Sequence, residues 1–170
     1  MNSPRYILDS DVLITAKNLY YAFDICPGFW QGILDYHSSG RVFSIQRIKS
    51  ELLQGKKTDE LVQWVNSSVP SSFFLDVDEE DVTTAYAEVM LWVQRNTRFT
   101  EAAKAKMASG ADGWLVAYAM VHSTVVITLE ISAPQSKDIK IPDLCQQFGV
   151  TAENPYSMLR SLQIKFDLRS

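Results

Sequence analysis

Apolar positions along this chain change their period several times, and the changes mark alternating strands and helices. Tyr6-Ile7-Leu8 is a short uninterrupted apolar run that stops on Asp9, the pattern of a strand buried on both faces and ended by a polar residue. From Phe29 to His37 the spacing turns helical and closes at Ser38-Ser39-Gly40, where glycine supplies a helix stop. Arg41 begins a new element. Val42-Phe43-Ser44 leads into a helix in which Ile45, Ile48 and Leu52 keep helical spacing, with Glu51 flanking the apolar stripe. A polar helix is expected around Asp59 to Val65, then a strand at Phe73-Phe74-Leu75, then an acidic helix start at Asp76, Asp78 and Glu79. Val82, Ala85, Tyr86, Val89, Met90 and Val93 recur at steps of three and four, so a helix to about Arg95 carries one broad apolar face, expected to pack on the sheet. A short alanine-rich helix over Ala102 to Ala108 breaks at Ser109-Gly110. Asp112 then opens a strongly apolar helix running from Trp114 to Val121. Val125-Val126-Ile127 is a second β-branched strand, and Thr128-Leu129-Glu130 ends it on an acid as Asp9 ends the first.

Strands separated by helical segments imply βαβ units and a mainly parallel sheet, with ligands beyond the carboxyl ends of the strands. Asp9 and Glu130 both fall at that edge. No internal repeat or low-complexity tract interrupts the pattern, and the longest polar stretch, Asn66 to Ser72, is too short for a linker between domains. With 170 residues, 46% of them hydrophobic, the chain is expected to form one domain over residues 1–170. No run approaches the roughly 20 apolar residues of a membrane helix. The opening MNSPRYILDSDV lacks the features of a signal peptide, so a soluble, cytoplasmic protein is expected.

Charge narrows the chemistry. A net charge of −4 and a pI near 5.1 argue against nonspecific binding of long duplexes, which depends on counterion release by many cations. They do not argue against a nuclease, because a site made of carboxylates is acidic by construction and reaches phosphate through a bound cation. Cys26 and Cys145 are too few for a disulfide framework and lack any metal-binding spacing. His37 and His122 stand alone, and there is no GxSxG elbow, so a Ser/His/Asp hydrolase is not expected. Any chemistry rests on the carboxylates.

Asp9 and Glu130 at strand ends, Glu51 beside a core stripe and Asp112 leading an apolar helix all stand where a solvated charge is not expected. Two carboxylates about 4 Å apart repel by roughly 4 kcal/mol at an effective dielectric near 20, so convergence calls for a cation or a proton. Oxygen ligands without Cys or His select magnesium or manganese. Taken singly, Asp9 could begin an Asx-turn, Asp112 could cap its helix, and Glu51 could lie on a helix surface. Asp11 is either a fifth, water-mediated ligand or a loop aspartate, and Ser10 could orient a ligand through its hydroxyl.

The segments YILDSDVLI (Tyr6 to Ile14), IKSELL (Ile48 to Leu53), GADGWLVAYA (Gly110 to Ala119) and VVITLE (Val125 to Glu130) together resemble the PIN-like nucleases. Many of those are toxins of bacterial toxin–antitoxin pairs. IPDLCQQFGV (Ile141 to Val150) and SMLRSL (Ser157 to Leu162) look like the C-terminal part of one poorly characterised branch, so the likeness covers nearly the whole chain. It implies a three-layer α/β/α Rossmann-like fold with a mainly parallel central sheet. It also implies hydrolysis of RNA phosphodiester bonds with Mg2+ or Mn2+, leaving a 3′-hydroxyl and a 5′-phosphate. Asp9, Glu51 and Asp112 match the three core ligands and Glu130 the fourth acid. Many PIN nucleases have aspartate at the fourth position and asparagine two residues after the first acid, where this chain has Glu130 and Asp11. An RNA substrate, an antitoxin partner and a homodimer follow from the resemblance alone. Arg47, Lys49, Lys104, Lys106, Lys137 and Lys140 are the basic residues nearest the acids. Two other readings are a catalytically silent PIN-like binding module, whose signature would be a lost acid, and a magnesium-dependent phosphatase, whose DxDx[TV] motif Asp9-Ser10-Asp11-Val12-Leu13 only echoes.

Overall fold

In the computed structural model residues 3–167 are described, so the domain expected over 1–170 extends at both ends outside the described residues. Parallel strands cannot be joined by tight turns, and here each connection is a crossover carrying helices. Strand β1 (Tyr6–Leu8) is buried at all three positions. Helix α1 (Ser10–Thr15), a π-helical turn (Ala16–Tyr20) and α2 (Pro27–Ser38) lead to β2 (Val42–Ile45). Then α3 (Gln46–Leu52) and α4 (Glu60–Ser67) lead to β3 (Phe74–Leu75). The longest crossover, α5 (Glu80–Arg95), α6 (Glu101–Ser109) and α7 (Asp112–His122), reaches β4 (Val125–Ile127). Helix α8 (Ile141–Gln147) precedes β5 (Ala152–Glu153), and α9 (Pro155–Ser161) follows.

The sheet order is β3-β2-β1-β4-β5, and every pairing is parallel. From β1 the chain moves outward through β2 to β3, then returns past β1 to β4 and β5. The direction of winding therefore reverses between β1 and β4, and the helices that follow them diverge, opening a crevice at the carboxyl ends of those two strands. Leu8 stands opposite Ile127, and the Asp9 N–H donates to the Ile127 carbonyl at 2.9 Å. That register sets Asp9 beside Thr128 at the floor of the crevice.

Several elements depart in detail from the sequence expectation. Ile45 closes β2 instead of opening the next helix, because it is fully buried and in register with Leu75 of β3. The expected strand at Phe73 begins one residue later, after a short 3-10 turn over Ser71–Phe73. Helix α4 buries Leu61, Val62, Trp64 and Val65 and so has a substantial apolar side. The apolar face of α5 packs chiefly on α7 and not on the sheet. Helix α7 buries Leu115, Val116, Ala117, Tyr118 and Ala119 and lies between α5 and β4, so it takes the place the sheet was expected to fill. Periodicity identified the face that is buried but carries nothing about its partner.

The solitary residues have structural roles. His37 is buried between the Val42 carbonyl (3.0 Å) and the Ser72 hydroxyl (2.9 Å), and His122 meets Glu79 at 3.0 Å. Trp30 stacks on Phe23 and meets Trp64 edge-on, while Trp92 packs against Phe99 and Phe148. Cys145 is fully buried, and burial pushes its thiol up to about 12. Among the described residues no helix is long and apolar enough to cross a membrane.

Candidate functional site

The acids reach the crevice from α1, α3, α7 and the segment after β4, and all of them except Asp112 are held by identifiable donors. Asp9 follows β1 directly and is the N-cap of α1, where Oδ1 accepts from the Ser10 N–H at 2.7 Å. The cap role, considered from the sequence for Asp112 and not for Asp9, thus falls to Asp9 and uses only one of its oxygens. Oδ2 turns across to β4 and accepts from the Thr128 hydroxyl at 3.0 Å. Asp11, in the first turn of α1, accepts through Oδ2 from the same hydroxyl (3.2 Å) and from the Leu129 N–H (3.0 Å). Its Oδ1 is buried and has no hydrogen-bond partner.

Glu51 sits in the last turn of α3. Oε2 accepts from the Ser10 hydroxyl (3.0 Å) and Oε1 from the Ala111 N–H (3.1 Å), so this one carboxylate ties α1, α3 and the start of α7 together. Gly110 adjoins this contact, where a Cβ would reach Glu51 Oε1 at an ordinary 3.9 Å but crowd the Lys106 carbonyl at 3.1 Å. Asp112 is the first residue of α7 and does not cap it; the N-cap is Ala111, which offers no side-chain hydrogen bond. Glu130 lies in the segment after β4, and its Oε2 accepts from the Ile141 N–H at the start of α8 (2.7 Å).

The electrostatics show that these groups share one environment. Asp9 is 4% exposed, and burial, then the charges of Asp11 and Asp112, hold its carboxyl well above the usual carboxylate range. Burial likewise raises Asp11, with Glu130 adding to the effect. Asp112 is pushed up to about 6, first by burial, then by Glu130 and Glu51, with Lys106 opposing. Beside Asp112 and Glu130 is a cavity of about 110 Å3, whose lining includes Lys106, Lys140, Met107 and Ile139.

All five acids expected from the sequence therefore surround one crevice. Among the described residues, however, no three His, Cys, Asp or Glu side chains already stand in a metal-holding group. Ser10, Thr128, Leu129, Ala111 and Ile141 donate to oxygens of Asp9, Asp11, Glu51 and Glu130. The donor set still fits a hard divalent cation on two counts: the buried Asp11 Oδ1 lacks a partner, and burial with neighbouring acids makes Asp9, Asp11 and Asp112 costly to ionise unless a cation offsets their charge. Of the basic candidates, Lys106 and Lys140 line the cavity. Lys104 instead lies buried, donating to the Gln94 carbonyl at 3.0 Å, and Lys49 lies over the Phe74 ring. Sequence reasoning missed Thr128 as a shared donor. A hydroxyl just past a buried strand was its only signal, and nothing local revealed that it faces two aspartates.

The parallel order 3-2-1-4-5 sheet, flanked by helices and carrying acids at its winding reversal, defines a three-layer α/β/α domain of Rossmann-like architecture. The chain belongs to the family described as Domain of unknown function (DUF4411), whose model matches residues 6–166. No curated protein matches it in sequence. Its fold is similar to that of FitAB in a structure bound to the IR36 DNA fragment, with 18% identity, a TM-score of 0.53, and 89% of this chain and 95% of that chain covered. It is also similar to FitAcB from Neisseria gonorrhoeae, with 17% identity, a TM-score of 0.53, and 89% and 98% covered.

Proposed function

We propose that this protein is a metal-dependent endoribonuclease that hydrolyses RNA phosphodiester bonds, with Asp9, Glu51, Asp112 and Glu130 as its acids and Mg2+ or Mn2+ as its cofactor. The observation that carries the proposal is the gathering of buried carboxylates around Thr128 at the winding reversal, with the Asp11 Oδ1 left unpartnered. When bound there, the cation supplies Lewis acidity toward the phosphate and activates water. Asp9, Asp112, Glu51 and Glu130 would hold it, with Asp11 contributing its free oxygen directly or through water. Asp112 or Glu130 would orient the attacking water beside the cation. Lys106 and Lys140 bring positive charge to the adjoining cavity and would hold the phosphate backbone.

The resemblance to PIN-like toxins and the similarity in fold to FitAB and FitAcB support a further part of the reading. The protein would act in the cytoplasm as the toxin of a bacterial toxin–antitoxin pair, held by an antitoxin protein and able to form a homodimer. The test is to titrate manganese into wild type, Asp9→Asn and Asp112→Asn while following thermal unfolding and cleavage of a mixed RNA pool. Wild type should gain stability and cut RNA. Both variants should lose activity by ~10²-fold or more, the scale of removing a preorganised charge from a site. Wild type that neither gains stability with manganese nor cuts RNA defeats the proposal.

A further inference from the structure

Beside the acids, the contact of α5 with α7 ends in a stack of rings capped by an exposed cation. Trp114, in the first turn of α7, stacks face to face on Tyr86 of α5, with ring centroids 3.8 Å apart and planes within 8°. The Arg47 guanidinium carbon lies 4.2 Å from the Trp114 ring centroid. A phenol at that distance leaves no room on its own side, so the guanidinium takes the other face of the indole. The result is a three-tier pile, Tyr86-Trp114-Arg47, whose lower tiers are half-buried and whose top tier is exposed. It is closely fitted at its base: a Cβ on Gly113 would stand 3.0 Å from Tyr86 Cε2, so any larger residue there requires the ring to shift.

The position of the pile relates it to the acids. Arg47 and Glu51 are one turn apart on the same side of α3, where side chains four residues apart have Cβ atoms about 5–6 Å from one another. Glu51 is fastened to the Ala111 N–H, three residues before Trp114. The guanidinium therefore lies over the Trp114 ring, on a residue one helical turn from Glu51, and among the described residues it makes no hydrogen bond or ion pair. A planar cation with five unused donors and one open face matches a nucleotide. The face can stack on a base and the edge can donate to the neighbouring phosphate.

We propose that Arg47, laid on Trp114 and Tyr86, is a stacking site for an unpaired base of single-stranded RNA next to the bond to be cut. Bases in a duplex offer no free face, so the site selects single strands. Stacking also explains why an acidic protein can hold RNA with few cations, since an aromatic and guanidinium platform does not depend on counterion release alone. The inference rests on the nuclease reading, but it is tested by binding as well as by cleavage.

The experiment measures fluorescence anisotropy of a labelled single-stranded RNA of about twelve nucleotides, within the range of site sizes such grooves occupy. Wild type, Arg47→Ala and Arg47→Lys are compared in calcium, with a duplex of the same sequence as competitor and manganese-dependent cleavage measured in parallel. Wild type should prefer the single strand. Arg47→Ala should bind it about tenfold more weakly, within the span of one stacked base, and Arg47→Lys should recover little, because an ammonium has no planar face. In cleavage, both substitutions should raise KM and leave kcat near wild type. Arg47→Lys binding like wild type would reduce the site to a charge and overturn the stacking proposal. Equal binding of duplex and single strand, or of Arg47→Ala and wild type, would overturn it too. In either case manganese-dependent cleavage by wild type would leave the nuclease reading standing. Wild type that binds no RNA and cuts none removes both.

Discussion

Thr128 is 2% exposed, and its hydroxyl lies between two aspartates that both need a donor while accepting from the Glu130 N–H at 3.1 Å. A single O–H serves Asp9 and Asp11 in turn, so their geometry and their protonation depend on it. Thr128→Val keeps the shape and removes the donor, and it should lower stability by ~1–3 kcal/mol, the cost of leaving a buried acceptor unsatisfied. Thr128→Ser should lose less. A valine variant that melts with wild type would show that the hydroxyl is not needed. Titration of Asp112 sets a second expectation at this scale. Below about pH 4 its carboxyl is protonated in both the folded and the unfolded chain. As pH rises through about 6 the folded state must ionise a group that burial and its acidic neighbours keep neutral, so the stability it contributes is lost over that window. In chelator, the difference in melting temperature between Asp112→Asn and wild type should therefore grow in favour of the variant from pH 4 to pH 7. A constant difference would mean that Asp112 titrates normally.

Among elements, the packing of α5 on α7 decides where the acids stand, because α7 carries Asp112 at its first residue and receives Glu51 at its N-terminal edge. The fit depends on Gly113, which lets the Tyr86 ring close onto Trp114. Gly113→Ala would force that ring back and should cost ~1–3 kcal/mol, the scale of overpacking a tightly fitted site. It should also weaken single-stranded RNA binding, since the pile beneath Arg47 is disturbed. A thermal melt and the anisotropy assay check the two effects separately. Helix α6 makes a comparable contribution from the other side of the cavity. Thr100 caps it by accepting from the Ala103 N–H at 3.1 Å, and Lys106 projects toward Asp112. Removing the charges at Lys106 and Lys140 should raise KM several-fold and reduce the salt dependence of RNA binding by about one slope unit for each phosphate that a lysine holds. An unchanged salt slope in Lys106→Ala/Lys140→Ala would remove the phosphate role.

At the scale of the whole molecule, one parallel sheet carries every crossover, and its core is continuous from α2 through β1 and β4 to α9. We expect one cooperative domain, with coincident urea transitions by far-ultraviolet circular dichroism and by tryptophan fluorescence. Separated transitions would divide it. Much of this architecture was legible in the sequence because burial imposes period: the uninterrupted runs at Tyr6 and Val125, the three-and-four spacing from Val82 to Val93 and the stop at Gly40 each state a local solution to hiding apolar surface. The acids were legible for a related reason, since carboxylates at the ends of such elements are out of place unless something uses them. The chain by itself thus determined the order of its elements as far as β4, its parallel class and which acids to watch, while the short β5 carried no such signal. It did not determine partners, because periodicity marks a buried face without saying what covers it, and so α5 meets α7 and Lys104 ends on the Gln94 carbonyl. The shared Thr128 hydroxyl, the unpartnered Asp11 oxygen and the pile under Arg47 arise only where segments distant in sequence meet. Their chemistry depends on distances of a few ångströms across the winding reversal, and the tertiary structure alone fixes those distances.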